Sequence, residues 1–380
     1  MAVGHSCAPD AARAGVEAAD QALRQEDPKL LVVFSAESYD PHALLAGIAS
    51  RASGTPLIGC STAGEIATSG PGDAGVVVVA LGGAGFTVAT AAETASIGLR
   101  EAGAAVAGCA KEVRDREHRI LLLLTDGLAG DQQEVVRGAH SVVGAEIPLV
   151  GGCAGDDLKM QSTRQFHGAE VMTNAVVGAA IGSEAPLGVG VRHGWRRVGS
   201  PMLVSESDAN RVLTLDDEPA LDVYLRRLDA PVEAASDPAA FTRFALTHPL
   251  GLQRRSGEEV RFVAGANFED RSLTCVAHVP QGGLTWFMEG DNESVLDATD
   301  GACAEAVAQL QGADPLGFLA FDCIARRGVL GDGGIEEEVT RIAGHASGAP
   351  VAGFYTYGEI ARTRGTGGFH NQTLVVLAMA

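Results

Sequence analysis

Aromatic residues are scarce, at 5% of 380 positions, and only four are tyrosines. Paired cysteines are absent. The seven present (Cys7, Cys60, Cys109, Cys153, Cys275, Cys303 and Cys323) are odd in number, far apart and never spaced C-x-x-C, which argues for reduced, mostly buried thiols. Positive charge is also in short supply. Lys and Arg number 28 against 48 Asp and Glu, so the formal net charge of −20 repels phosphate backbones and anionic lipid, and nucleic acid is not an expected partner. No window reaches the roughly 18 apolar residues of a membrane span, and residues 1–11 lack the basic and apolar regions of a leader. The expectation is a cytoplasmic protein with no membrane partner. Catalytic signatures are missing too, with no H-E-x-x-H, phosphate loop or nucleophile elbow. Gly82-Gly83-Ala84-Gly85 is followed by the strand-forming Phe86-Thr87-Val88, where a dinucleotide fingerprint needs a helix. His118 and the Thr125-Asp126-Gly127 turn offer an acid–base pair only if something brings them together. The chain is not expected to be an enzyme; a hydrolase-like activity is the remote alternative.

What is present is a globular composition, 46% hydrophobic and 20% charged, arranged as short β-branched runs alternating with Ala-rich helical stretches. That order repeats. Leu30–Ala36 reads as a strand, Asp40-Pro41 as an N-cap and N1 pair opening a helix that ends near Gly54, and Gly75–Leu81 as a buried strand, with Pro56-Leu57-Ile58-Gly59-Cys60-Ser61-Thr62-Ala63-Gly64-Glu65-Ile66 between them. A second unit runs from strand Ile120–Thr125 through helix Asp131–Val143 and Pro148–Asp156 to strand Ala175–Ile181. A third runs from Leu316–Ile324 through helix Glu336–Ala346 and Pro350–Ala361 to strand Thr373–Met379. The first and third copies align without gaps, pairing Pro56 with Pro350, Gly59 with Gly353, Thr62 with Thr356, and Glu65 with Glu359. Pro enters a strand at its first position, the next Gly permits close backbone approach, and Gly64 or Gly358 makes the sharp exit that displays a carboxylate.

Leu187–Asp216 and Phe241–Gly290 contain closely spaced strand candidates that read as antiparallel meanders, with helices at Pro219–Leu228 and about Glu293–Leu310. The polar stretch Ala230–Asp237 is the candidate seam between halves. The fold expected is mixed α/β, with repeated strand–helix–strand–strand units building mixed sheets and a meander in the middle, so that Leu30–Leu81 and Leu316–Met379 are equivalent units.

Gly59–Ile66, His193-Gly194-Trp195, Pro219–Tyr224, Gly353–Ile360 and Phe369–Thr373, in this order, resemble the FIST family of sensory domains over nearly the whole chain. His248 and Arg362 depart from the family pattern, at positions where an aromatic and a Pro are more usual. The resemblance implies an N-terminal domain over 30–219 and a C-terminal domain over 220–380. It also implies a non-catalytic input module of bacterial signalling that binds a small ligand of amino-acid-like character. Some free-standing members resemble haem-based nitric-oxide sensors that act on a histidine kinase. The resemblance specifies neither ligand for this chain.

Candidate ligand-binding residues are Thr62, Gly64, Glu65, Asp156, Tyr355, Thr356, Tyr357, Gly358, Glu359, Asn371 and Gln372. Glu65 and Glu359 either hold an ammonium group in a shared crevice or cap their turns; Asp156 is the weaker counterpart in the second copy. Tyr355 and Tyr357 alternate with Phe354 and Thr356, so they share one strand face, as a binding wall or as ordinary half-buried aromatics. If haem is bound, His370, beside the glycine-rich stretch 365–368, and His193 are its candidate ligands; otherwise they are satisfied structural histidines.

Overall fold

The computed structural model describes residues 1–24, 27–52, 54–254, 257–363 and 367–380; of the glycine-rich stretch, 365 and 366 lie outside the described residues. Three copies of one unit are visible, each longer at its N-terminal end than the sequence pattern suggests. The first comprises β1 (Ala2–Ser6), α1 (Ala11–Ala22), β2 (Pro28–Ala36), α2 (Pro41–Ala49), β3 (Leu57–Thr62), a two-stranded arm of β4 (Glu65–Ala67) and β5 (Gly70–Gly72), and β6 (Val76–Gly82). Its opening strand lies within residues 1–11, ahead of the first strand expected from sequence, and it is fixed by antiparallel pairing of Ala2–Ser6 with Val76–Ala80. As expected, Asp40 caps α2 by accepting from Ala43 N, with Pro41 at the first helical position.

The second copy is β7 (Phe86–Thr94), α3 (Leu99–Ala107), β8 (His118–Thr125), α4 (Gln133–Val143), β9 (Leu149–Cys153), the arm β10 (Gln165–His167) and β11 (Glu170–Met172), and β12 (Ala175–Ser183). The third begins with β13 (Leu187–Arg192) and is then interrupted by an inserted module. The module contains β14 (Arg196–Asp208), β15 (Arg211–Leu215), β16 (Glu218–Pro219), α5 (Ala220–Arg227), α6 (Pro238–Ala245), β17 (Leu250–Arg254), β18 (Gly257–Arg261), β19 (Val263–Asn267), β20 (Ser272–Cys275) and β21 (Leu284–Glu289). The third copy resumes as α7 (Asn292–Ala308), β22 (Gly317–Cys323), α8 (Ile324–His345), β23 (Val351–Thr356), the arm β24 (Glu359–Arg362) and β25 (Phe369–His370), and β26 (Leu374–Met379). The meander is thus an insertion whose strands form a separate antiparallel sheet, while β13, grouped with it by sequence, pairs with β26 in the third copy.

The three copies exchange their arms. Arm β4–β5 adds to β23 of the third copy, arm β10–β11 to β3 of the first, and arm β24–β25 to β9 of the second, closing a cycle of three six-stranded sheets. The inner faces of the sheets share one core, in which Phe34, Phe321 and Phe354 meet beside Leu122, Leu124 and Val150. A helix pair covers each outer face. Within each copy one glycine sets the spacing of the parallel strands: a Cβ at Gly59, Gly151 or Gly353 would lie 2.4, 1.9 or 1.9 Å from the carbonyl oxygen of Val33, Leu123 or Ala320. No side chain fits there.

Candidate functional site

The arm exchange brings Glu65 and Glu359 into equivalent settings. Thr62 Oγ1 donates to Glu65 Oε1 at 2.6 Å and Gly75 N donates to Oε2 at 3.0 Å. Thr356 Oγ1 donates to Glu359 Oε1 at 2.5 Å and Thr373 N donates to Oε2 at 3.1 Å. Gly64 N and Gly358 N donate to the two threonine hydroxyls. Both carboxyls are buried. Burial raises Glu65 to about 7 and Glu359 to about 8, against the pull of these hydrogen bonds.

The register identifies the second-copy counterpart as Gln165, which faces Cys60 as Glu65 faces Phe354 and Glu359 faces Gly152. Its Nε2 donates to Thr163 Oγ1 and its Oε1 accepts from Ala175 N, at the same strand entry as Gly75 and Thr373. Asp156 does other work because the second copy carries extra residues before its arm. Its carboxylate accepts from Met160, Gln161 and Ser162 N and from Tyr357 OH at 2.5 Å, fixing that loop. A gapless alignment of the first and third copies carries no information about this insertion.

The two tyrosines separate. Tyr357, just beyond β23, is half-buried and serves the 156–162 loop, also accepting from Leu158 N. Tyr355 is buried under α7 and α8 beside Asp322, its register partner on β22. At the corresponding register the first copy has Ser35 and Ser61, and the second has Thr125 and Cys153. Only the third copy has large, ionisable groups there. Arg326, fully buried one turn after Asp322, donates to Asp322 Oδ1 at 2.7 Å, Glu338 Oε1 at 2.5 Å and Thr299 Oγ1 at 2.9 Å, and to the His193 and Val295 carbonyls. Burial, with Glu338 adding to it, holds Asp322 well above the usual carboxylate range.

Seven buried side-chain atoms among the described residues have no hydrogen-bond partner, and five belong to the third copy: Asp322 Oδ2, Glu338 Oε2, Tyr355 OH, Asn371 Oδ1 and Gln372 Oε1. Asn371 and Gln372 form the turn into β26, whose Thr373 carbonyl accepts from Cys323 N next to Asp322. Gln372 also contacts the insertion, since its Nε2 donates to the Leu246 carbonyl and its own carbonyl accepts from Trp195 Nε1 at 2.9 Å. Of the residues singled out from sequence, Tyr355, Asn371 and Gln372 have such atoms. Sequence reading missed Asp322, Arg326 and Glu338, which carry no motif; the available signal was the charge of Asp322 between the apolar Phe321 and Cys323, while Arg326 and Glu338 sit beside other charged residues.

Both candidate haem histidines have a ring nitrogen engaged within the protein, and a haem ligand likewise anchors one nitrogen while presenting the other to iron. His370 Nε2 lies 2.9 Å from the Ala361 carbonyl, while His193 Nδ1 accepts from Trp195 N and its Nε2 lies 3.6 Å from Glu258. Burial lowers both, His193 to about 4, so both rings are neutral at pH 7. His118 and Asp126 also stay apart, at opposite ends of β8 and roughly 25 Å distant at about 3.3 Å per residue. Asp126 instead accepts from Leu128 N and Asn174 N. No helix of the described residues is long and apolar enough to cross a membrane.

The sequence matches the FIST N domain over residues 29–218 and the FIST C domain over residues 220–362. The two regions meet inside the insertion, so the third copy draws β13 from one and its remaining elements from beyond the other's start. An uncharacterized Mycobacterium tuberculosis protein is 25% identical over 98% of this chain and 97% of its own length, and an uncharacterized Mycobacterium bovis protein is 26% identical over the same shares. An uncharacterized Methanocaldococcus jannaschii protein is 26% identical over 43% of this chain and 33% of its own length. Matched along most of its length, the chain belongs to the FIST family, whose domains are associated with sensing of small ligands in signal transduction.

Proposed function

We propose that the chain is a non-catalytic sensory module that binds a small, amino-acid-like ligand at the carboxyl ends of β22 and β23. One observation carries the reading: five buried polar atoms without partners gather in the one copy that departs from the small residues used by the other two. A buried polar atom without a partner costs about 1–3 kcal/mol, so such a concentration calls for something to fill it. Glu338 Oε2, Asn371 Oδ1 and Gln372 Oε1 are acceptors, beside the Tyr355 hydroxyl and the Asp322 carboxyl, a set complementary to an N–H-rich group such as an ammonium. The carboxyl ends of parallel strands are also where α/β folds hold ligands. Thr62, Gly64, Glu65, Thr356, Gly358 and Glu359 brace the exchanged arms next to this site; Asp156 and Tyr357 order the neighbouring loop. A cytoplasmic location, a signalling partner such as a histidine kinase, and a division of sequence modules at 219/220 go with this proposal.

The test is a thermal-shift screen of free L-amino acids and small amines, followed by titration through Trp195 fluorescence. The expected result is a stabilising ligand whose affinity falls about 10-fold in Tyr355→Phe or Gln372→Ala, the loss of a hydrogen bond to a charged group. No shift with any member of the panel, or affinity indifferent to both substitutions, refutes the reading.

A further inference from the structure

Helix α8 is two helices. Gly331, at φ 64° and ψ −178°, breaks it after a first segment, Ile324–Leu330, in a backbone region open essentially to glycine alone, and Gly333 and Gly334 follow at once. Four consecutive residues of that segment touch three different parts of the protein. Arg326 points inward to Asp322, Glu338 and Thr299. Arg327 points the other way: its Nη1 donates to the Ala63 carbonyl at 2.9 Å, its Nη2 pairs with Asp73, and its guanidinium carbon lies 4.9 Å from the centre of the Tyr355 ring. Gly328 abuts Leu246 of the insertion, where a Cβ would come within 3.1 Å of the leucine side chain. Val329 packs on Trp195, Val260 and Met288 of the insertion.

We propose that Ile324–Leu330 is the switch segment of this sensor, hinged at Gly331, which passes the state of the buried Asp322–Arg326–Glu338 cluster to the first copy's exchanged arm through Arg327. The proposal rests on the third copy being the sensing site. A segment that moves as a unit needs a hinge and contacts that can be exchanged rather than deformed. Gly331 supplies the hinge. The adjacent arginines supply the link, since any change that re-aims Arg326 rotates the turn carrying Arg327. The arm it would move lies along β23, held by the pairing of Glu65–Ala67, by backbone bonds of Ala63 and Gly64 with Tyr355, and by Thr68 with Val351, so a shift of Arg327, which holds the Ala63 carbonyl, acts at one end of this seam.

Amide hydrogen exchange on the full-length protein tests the coupling without any ligand. Glu338→Gln, which weakens one anchor of Arg326, is expected to speed exchange about 5-fold or more both in 324–330 and in the arm, residues 63–75, with no change in β8 as a control. In an Arg327→Ala background the same substitution should leave the arm's exchange unchanged. Loosening of 324–330 without the arm, arm loosening that is equal with and without Arg327, or an equal rise in β8 each overturns the proposal. Should Glu338→Gln not fold, Thr299→Val removes one hydroxyl from Arg326 and is read in the same way. A failed ligand screen alongside intact coupling would sink the ligand reading alone; ligand binding alongside absent coupling would sink only the switch.

Discussion

Replacing Glu359 by Gln should stabilise the protein in alkaline solution. The folded group holds its proton to about pH 8 against an ordinary value of 4.5, because burial disfavours the anion. The unfolded chain releases that proton near pH 4.5, so stability falls as pH rises from about 4.5 to about 8 and is flat beyond. At about 1.4 kcal/mol per pH unit the loss approaches 5 kcal/mol. A glutamine avoids it: Oε1 keeps the bond from Thr373 N, and Nε2 donates to Thr356 Oγ1, as Gln165 already does toward Thr163 in the second copy. The second N–H of the amide has only the neighbouring Cys323 sulfur, so about 1–3 kcal/mol is returned. Guanidinium denaturation at pH 5 and pH 8.5 should therefore show the variant near or below wild type at pH 5 and about 2–4 kcal/mol above it at pH 8.5. A variant less stable than wild type by the same margin at both pH values would show that the carboxylate is ionised and needed, and would refute the argument. Glu65→Gln should behave alike, with the same crossover but a gain at pH 8.5 smaller by about 1.4 kcal/mol, because its value of about 7 ends the loss one pH unit earlier.

Gly353→Ala, whose Cβ would lie 1.9 Å from the Ala320 carbonyl, should cost about 3 kcal/mol or more and lower the melting temperature sharply; an unchanged melting temperature contradicts the strand spacing described. Tyr357→Phe removes the bonds to Asp156 and Leu158 N, and limited proteolysis should then cut within 156–162 while the global denaturation midpoint moves by less than about 1.5 kcal/mol. Equal protease resistance would mean that the loop is held by other contacts.

The repeat was legible because it is written in local chemistry. Pro at strand entry, Gly at the close approach and Thr-x-x-Glu at the arm recur at fixed spacing in the first and third copies, and each is dictated by backbone sterics or by a hydrogen bond within three residues. Family membership followed from the same motifs. Tertiary structure alone decided the rest. The exchange of arms joins Glu65 to Phe354, almost 290 positions away, and no periodicity reports which sheet an arm completes. Strand β1 is fixed by pairing with β6, since its own composition is neutral. The part played by Gln165 became visible only through register, because an insertion separates it from the motif it serves. The Asp322–Arg326–Glu338 cluster draws on β22 and both parts of α8, and burial is what distinguishes those charges: on a surface they are ordinary polar residues, and here they form a buried ion-pair network.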